Sequence, residues 1–297
     1  MTLELFLQHM VNGISLGSLY ALIAIGYTMV YGILRLINFA HGDLIMIAAY
    51  IAFYSVAIFS IPWYLSFIIA VLFTMALGIM IERSAYKPLR SSPRITVLIS
   101  AIGVSFLLQN LGIVIFGGRP KPFQVPELFS KVYEIAGVNI VSITFFIPII
   151  TIVLLLGLIY LINKTKVGMA MRAVAKDYDT SSLMGIDVNK IISTTFGVGS
   201  GLAAVGGVMW SMKFPQLIPF MGVIPGLKCF IAAVVGGIGN ITGAVIGGFL
   251  LGLGEILLVA FLPELSGYRD AFAFILLILI LLLKPTGIMG EKIAEKV

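Results

Sequence analysis

Long, uninterrupted apolar runs recur along the whole chain, and they constrain its fold more than any other feature. Residues 10–33, 44–60, 62–81, 95–116, 143–162, 191–210, 241–262 and 268–283 each form such a run. A bilayer core takes about 20 apolar residues to cross as an α-helix, so the pattern predicts an all-α polytopic membrane protein. A ninth stretch, 225–238, is apolar but short, the length of a half-helix or re-entrant segment. The expectation is about eight or nine transmembrane segments, some of them broken or re-entrant. They form a single membrane domain over residues 1–297. Only 11% of the residues are charged and 60% are hydrophobic, against about 25% charged in soluble domains. A soluble enzyme and a disordered chain are both excluded.

The net charge of +6 reads as orientation in the membrane rather than as nucleic-acid binding, because the basic residues gather in short connections between apolar runs. Arg83, Lys87, Arg90 and Arg94 crowd one connection, and Lys164, Lys166, Arg172, Lys176 and Lys190 crowd another. Lys284, Lys292 and Lys296 mark the tail. These segments are expected in the cytoplasm. The connection 117–142, poorer in basic residues, is expected outside, as are Pro215–Ile224 and Pro263–Asp270. Counting back from the tail places the N-terminus outside, provided that the short segment crosses. Met1-Thr-Leu-Glu-Leu lacks a basic leader region, so no removable signal is expected. One cysteine, Cys229, and two histidines, His9 and His41, leave no disulfide framework and no expectation of a metal or other cofactor.

Polar residues interrupt the apolar pattern at three places. At Asn38-Phe39-Ala40-His41-Gly42-Asp43 two readings stay open. One is a broken helix whose polar ends line a central path; the other is an interfacial turn with Asp43 capping the next helix. An isolated Asp at the bilayer centre costs about 2.5–3.5 kcal/mol or more, which favours a shallow or paired position. Gly236-Gly237-Ile238-Gly239-Asn240 predicts a bend, with Pro225 opening the half-helix before it and Asn240 capping the helix after it. Glu255 lies deep in that last helix, where it must be protonated, paired or beside water. The third interruption is the polar connection Asn163–Lys190. There Asp179 is expected to cap a short helix ending at Gly185, and Asp187 to cap the next span. Exposed Leu183, Met184 and Ile186 either fold back on the bundle or dock a cytosolic partner. The glycine pairs Gly13/Gly17, Gly197/Gly201, Gly243/Gly247 and Gly248/Gly252 are spaced for close helix contact and carry no function alone.

Enzyme motifs are missing. The chain has no Gly-Lys pair and hence no phosphate loop of that kind, and no His-Glu-x-x-His. Ser200 between glycines does not fit an intramembrane serine protease, and Ala40-His-Gly-Asp43 lacks the first glycine of the intramembrane aspartyl protease motif. Two transport classes remain. A secondary carrier would couple ions through Asp43, His41 or Glu255. A permease driven by a separate ATPase would use the Asn163–Lys190 connection to receive force.

Three segments then carry a resemblance. Gly17-Ser-Leu-Tyr-Ala through Ile37-Asn-Phe-Ala-His-Gly-Asp43, Gly236-Gly-Ile-Gly-Asn through Gly248 followed by Glu255, and Arg172-Ala-Val-Ala-Lys-Asp through Leu183-Met-Gly-Ile186 resemble the LivH-type permeases of branched-chain amino acid ABC importers. The resemblance covers nearly the whole chain. It implies a fold similar to type II ABC importer permeases, in a bacterial or archaeal inner membrane. The partners it implies are a related second permease, two cytoplasmic ATPases and an external binding protein. It matches Lys176, Asp177, Ser181, Met184, Gly185 and Ile186 to the ATPase-coupling segment. Asn38, His41, Gly42 and Asp43, with Gly237, Gly239, Asn240 and Glu255, are expected near the translocation path. Substrates across the family include leucine, isoleucine and valine, other hydrophobic amino acids, amides and urea.

Overall fold

Backbone polar groups have no water to bond in hydrocarbon, so apolar runs of this length satisfy them internally as helix. The computed structural model describes residues 2–135 and 137–290, and Lys292 and Lys296 lie outside them. Its helices are α1 (Leu3–Leu34), α2 (His41–Ala57), α3 (Trp63–Ile81), α4 (Arg94–Phe116), α5 (Glu127–Ser130), α6 (Ser142–Lys164), α7 (Lys166–Lys176), α8 (Tyr178–Leu183), α9 (Val188–Lys213), α10 (Val223–Gly236), α11 (Ile241–Phe261) and α12 (Arg269–Leu283). Among the described residues, seven helical segments have the length and composition to cross a membrane. The shorter apolar α2 and α10 bring the total to nine, within the eight or nine expected.

Burial divides the bundle into a core and a rim. The most apolar stretches of α1 and α9 are 94% and 83% buried, while those of α4, α6 and α12 are 22%, 17% and 6% buried. Helices α1, α2, α9 and α10 are mostly buried, and the more exposed α4, α6 and α12 lie around them. Small residues set the inner spacing. A methyl carbon added to Gly252 on α11 would lie 2.3 Å from the backbone of Gly17 on α1.

The two ends of the bundle differ. At one end β2 (Val132–Ile135) and β3 (Val138–Val141) form an antiparallel hairpin, which the sequence reading did not anticipate. There Gln8 Nε2 donates to the Asn139 carbonyl at 2.9 Å, and β1 (Lys121–Pro122) pairs with β4 (Gln216–Leu217). The opposite end carries the basic connections. There the Tyr178 hydroxyl donates to the Ile33 carbonyl, and Ile288 and Met289 donate backbone hydrogen bonds to Val235 and Gly236. Residue 3 and residue 290 thus lie at opposite ends, as the count of crossings requires.

The start of α2 is deep rather than interfacial. Asp43 meets Ser105 and Gln109 on α4; Ser105 stands eleven residues, or about 16 Å, above the helix start at Arg94. The His41 ring packs on Gly26 and on Tyr27, with ring centres 4.3 Å apart for the latter. Residues 36–40 climb to this level from the basic end, and residues 218–222 descend to it from the hairpin end. They meet where a methyl carbon on Gly222 would lie 1.9 Å from the Gly42 carbonyl oxygen. That contact is backbone against backbone, so no side chain can rotate away. Gly222→Ala should cost about 1–3 kcal/mol or more, read as a fall in the unfolding midpoint in micelles; an unchanged midpoint would show that the crossing can open.

Several boundaries depart from the sequence reading. Helix α2 begins at His41 with Ala40 as its uncapped start, so Asp43 is not a cap; its carboxylate reaches across to α4 instead. Asp177, not Asp179, caps α8 by accepting from the Asp179 and Thr180 amides, because it alone is extended at φ −158°. Pro225 is the third residue of α10 rather than its opening residue. Ile186 is half-buried against the core and donates its backbone N–H to Ser181, whereas Leu183 and Met184 are exposed as expected.

Candidate functional site

The residues expected near a path occupy three levels rather than one cluster. The middle level holds His41, Gly42 and Asp43, each at most 2% exposed where a fraction is given for its side chain. Asp43 accepts from the Ser105 hydroxyl at 2.5 Å and from the Gln109 amide at 3.0 Å, and Gln109 also donates to Ser105 at 3.0 Å. Helix α4 is mostly exposed, so this polar triad is what ties it to α2. Between α2, α4 and the start of α10 lies a cavity of about 110 Å³. Asn38 sits lower, where its side-chain oxygen accepts from the buried Tyr86 hydroxyl at 2.8 Å.

The bend Gly237–Asn240 lies at the basic end, away from Asp43. Gly237 and Gly239 take φ values of +109° and +97°, which side-chain-bearing residues rarely adopt. Asn240 caps α11 by accepting from the Gly243 amide at 3.0 Å, as expected, and donates to the Met289 carbonyl at 3.0 Å. Gly239 and Asn240 line a second cavity, of about 500 Å³, with Tyr31, Arg35 and Arg172.

Glu255 forms the third level, fourteen residues or about 21 Å above the start of α11. It is 0% exposed and paired, one of the outcomes open to a carboxylate at that depth. Lys228 Nζ on α10 lies 2.8 Å from one of its oxygens and 2.7 Å from Asp270 on α12. The Tyr20 hydroxyl donates to its other oxygen at 3.1 Å, and Arg269 approaches to 3.7 Å. Lys228 was missed because the basic residues were read as confined to connections, yet a lysine inside the short run 225–238 was itself the signal that a buried acid must exist.

A second buried acid was also missed. Glu82 is 0% exposed in a π-helical turn, Glu82–Tyr86, that extends α3. It pairs with Arg90 and accepts from the Ser193 hydroxyl at 2.5 Å, while Arg90 donates to Asn189 at 2.7 Å. This ties the basic end of α3 to the start of α9, next to the segment 176–186. Within that segment Ser181 is buried and Ile186 half-buried, so they face the bundle; Lys176, Asp177, Met184 and Gly185 face out. Gly185, at φ +82°, ends α8 and turns the chain toward α9.

Comparison with known proteins agrees with this architecture. Residues 9–281 match the family described as the branched-chain amino acid transport system permease component. The chain is 43% identical to the high-affinity branched-chain amino acid transport system permease protein LivH of Escherichia coli K12, over 98% of each chain. It is 44% identical to the corresponding protein BraD of Pseudomonas aeruginosa, again over 98% of each. To the probable branched-chain amino acid transport permease protein LivH of Methanocaldococcus jannaschii it is 32% identical, over 92% of this chain and 89% of the other. With nine apolar helices, a polar level at mid-depth and this identity over almost its full length, the chain belongs to the branched-chain amino acid transport permease family.

Proposed function

We propose that this chain is the permease subunit of an ATP-binding-cassette importer in a bacterial or archaeal inner membrane. It forms the path for leucine, isoleucine, valine or a related hydrophobic amino acid. The drive comes from two separate cytoplasmic ATPases, the chain itself having no Gly-Lys phosphate loop. A related second permease completes the path, and an external binding protein delivers the substrate.

The observation that carries the reading is the tip of α8. Leu183 and Met184 are 88% and 78% exposed, at the end where the basic residues gather and where the positive-inside bias places the cytoplasm. Apolar side chains held out on a capped helix in water fit a socket on another subunit. Because α8 is tied to α1 through Tyr178 and Ile33, and runs into α9 through Gly185, a push on it moves the inner helices. His41, Gly42 and Asp43 then lie on the path at mid-depth, with Asn38 just below them. Gly237, Gly239 and Asn240 form the hinge below it, and Glu255 anchors α10 above.

Reconstitution into vesicles tests this. Amino acid uptake should appear only when the second permease, the ATPases, the loaded binding protein and ATP are all present. Uptake by this chain alone under an ion gradient would assign it instead to the ion-coupled carriers.

A further inference from the structure

The mid-depth cavity is larger than its polar groups require. One buried water needs about 10–15 Å³, so about 110 Å³ is room for a small organic molecule. Its walls are of two kinds. Tyr27, Phe39, Leu227 and Phe230 are apolar or aromatic; Asp43, with Ser105 and Gln109 beside it, is polar. Asp43 is 2% exposed, and among the described residues it forms no ion pair. Its two hydrogen bonds use only part of a carboxylate's capacity, which is about four lone-pair sites. An acid at this depth without a cation is a functional-site signal. Across the cavity α10 begins, with Val223 and Gly226 on the wall. The amino end of a half-helix carries positive potential. The cavity therefore has a negative pole, a positive pole and an apolar wall between them. Those are the complements of an ammonium group, a carboxylate and an aliphatic side chain.

We propose that this cavity is a substrate subsite for a zwitterionic aliphatic amino acid. Asp43 accepts from the α-ammonium group, the amino end of α10 faces the α-carboxylate, and Leu227 and Phe230 receive the side chain. Ser105 and Gln109 are positioning residues that hold the Asp43 carboxylate toward the cavity. The inference rests on the transport reading above and adds to it where the substrate is held and by which group. Asp43 belongs to an intact hydrogen-bonded triad, so the competing reading is a purely structural tie between α2 and α4.

The experiment uses the complete importer in vesicles, with a diazirine analogue of leucine as probe. Asp43→Asn keeps the shape and removes the charge; its single carbonyl oxygen can still accept from Gln109, while its amide nitrogen replaces the oxygen that accepts from Ser105 and can donate to that hydroxyl. It should lower ATP-driven leucine uptake about tenfold per assembled complex, as the loss of one charge-assisted hydrogen bond, with assembly counted by pull-down of the ATPases. Photolysis of the ATP-trapped wild-type complex should label the α10 segment holding Leu227 and Phe230, and the label should fade in Asp43→Asn. Where Asp43→Asn does not assemble, Leu227→Trp fills the cavity from its edge and should block uptake in the complexes that do assemble. Wild-type uptake in Asp43→Asn or Leu227→Trp, or labelling elsewhere while uptake proceeds, overturns the subsite and leaves the transport reading standing. No ATP-driven amino acid uptake by the wild-type complex overturns both.

Discussion

Replacing Lys228 with Met should destabilise the protein by about 3–5 kcal/mol, the usual effect of stripping one partner from a buried ion pair. Lys228 is 6% exposed and Glu255 is 0% exposed. Their 2.8 Å contact offsets part of what both charges lose on leaving water. Arg269 at 3.7 Å and the Tyr20 hydroxyl at 3.1 Å would remain for Glu255, which holds the effect within that range. The contact of Lys228 with Asp270 adds little, since Asp270 is 57% exposed and screened by water. The double variant Lys228→Met with Glu255→Gln removes both charges, and should recover most of the loss because a neutral pair has no unpaired buried charge. Unfolding midpoints in micelles give the comparison. If the double variant is less stable than Lys228→Met alone, the pair does not act as a unit and Glu255 has another partner. The same pair fixes α10, one of the two helices that begin at mid-depth, to α11. Loss of Lys228 should therefore also loosen the crossing at Gly42 and Gly222.

Much of the architecture was legible because lipid makes strong demands on a sequence. Helices that cross hydrocarbon must be apolar over their length, so α4, α6, α11 and α12 stand within a few residues of the expected runs. The bend at Gly237–Asn240 was legible for a different reason: three glycines in five residues break a helix, and Asn240 is a good cap. Depth was not legible at Asn38–Asp43. A polar hexapeptide looks the same at an interface as in a crossing between two broken helices. What settles it is the partner, Ser105 and Gln109 on α4, sixty-two and sixty-six residues away. Glycine at 42 and 222 carries no mark in sequence that the two meet. The buried pairs followed the same logic. Glu255 was recognised as an acid needing compensation, but Lys228 was assigned to no partner, and Glu82 was overlooked because it opens a run of basic residues at the end of a span.

Met184→Asp should abolish ATP-driven uptake while leaving insertion and stability nearly unchanged. Met184 is 78% exposed and touches no core, so its replacement by a charged residue in water should alter stability by no more than about 0.5 kcal/mol. Its proposed partner is an apolar socket on an ATPase, where a buried unpaired carboxylate costs several kcal/mol. Every 1.4 kcal/mol is tenfold in affinity, so the ATPase should separate from the permease at working concentrations. Gly185→Pro acts on the same element differently. At φ +82° proline cannot be accommodated, since its ring fixes φ near −65°, so the turn from α8 into α9 must rearrange. The socket contact would persist in part, but the push would no longer reach α9 through a rigid turn. The two variants therefore separate docking from transmission: Met184→Asp should release the ATPase in pull-down from membranes, and Gly185→Pro should retain it while uptake fails. Normal uptake in both variants would mean that the tip of α8 is not where force enters the bundle. The deep polar level at Asp43 would then have to be driven through a surface other than this one.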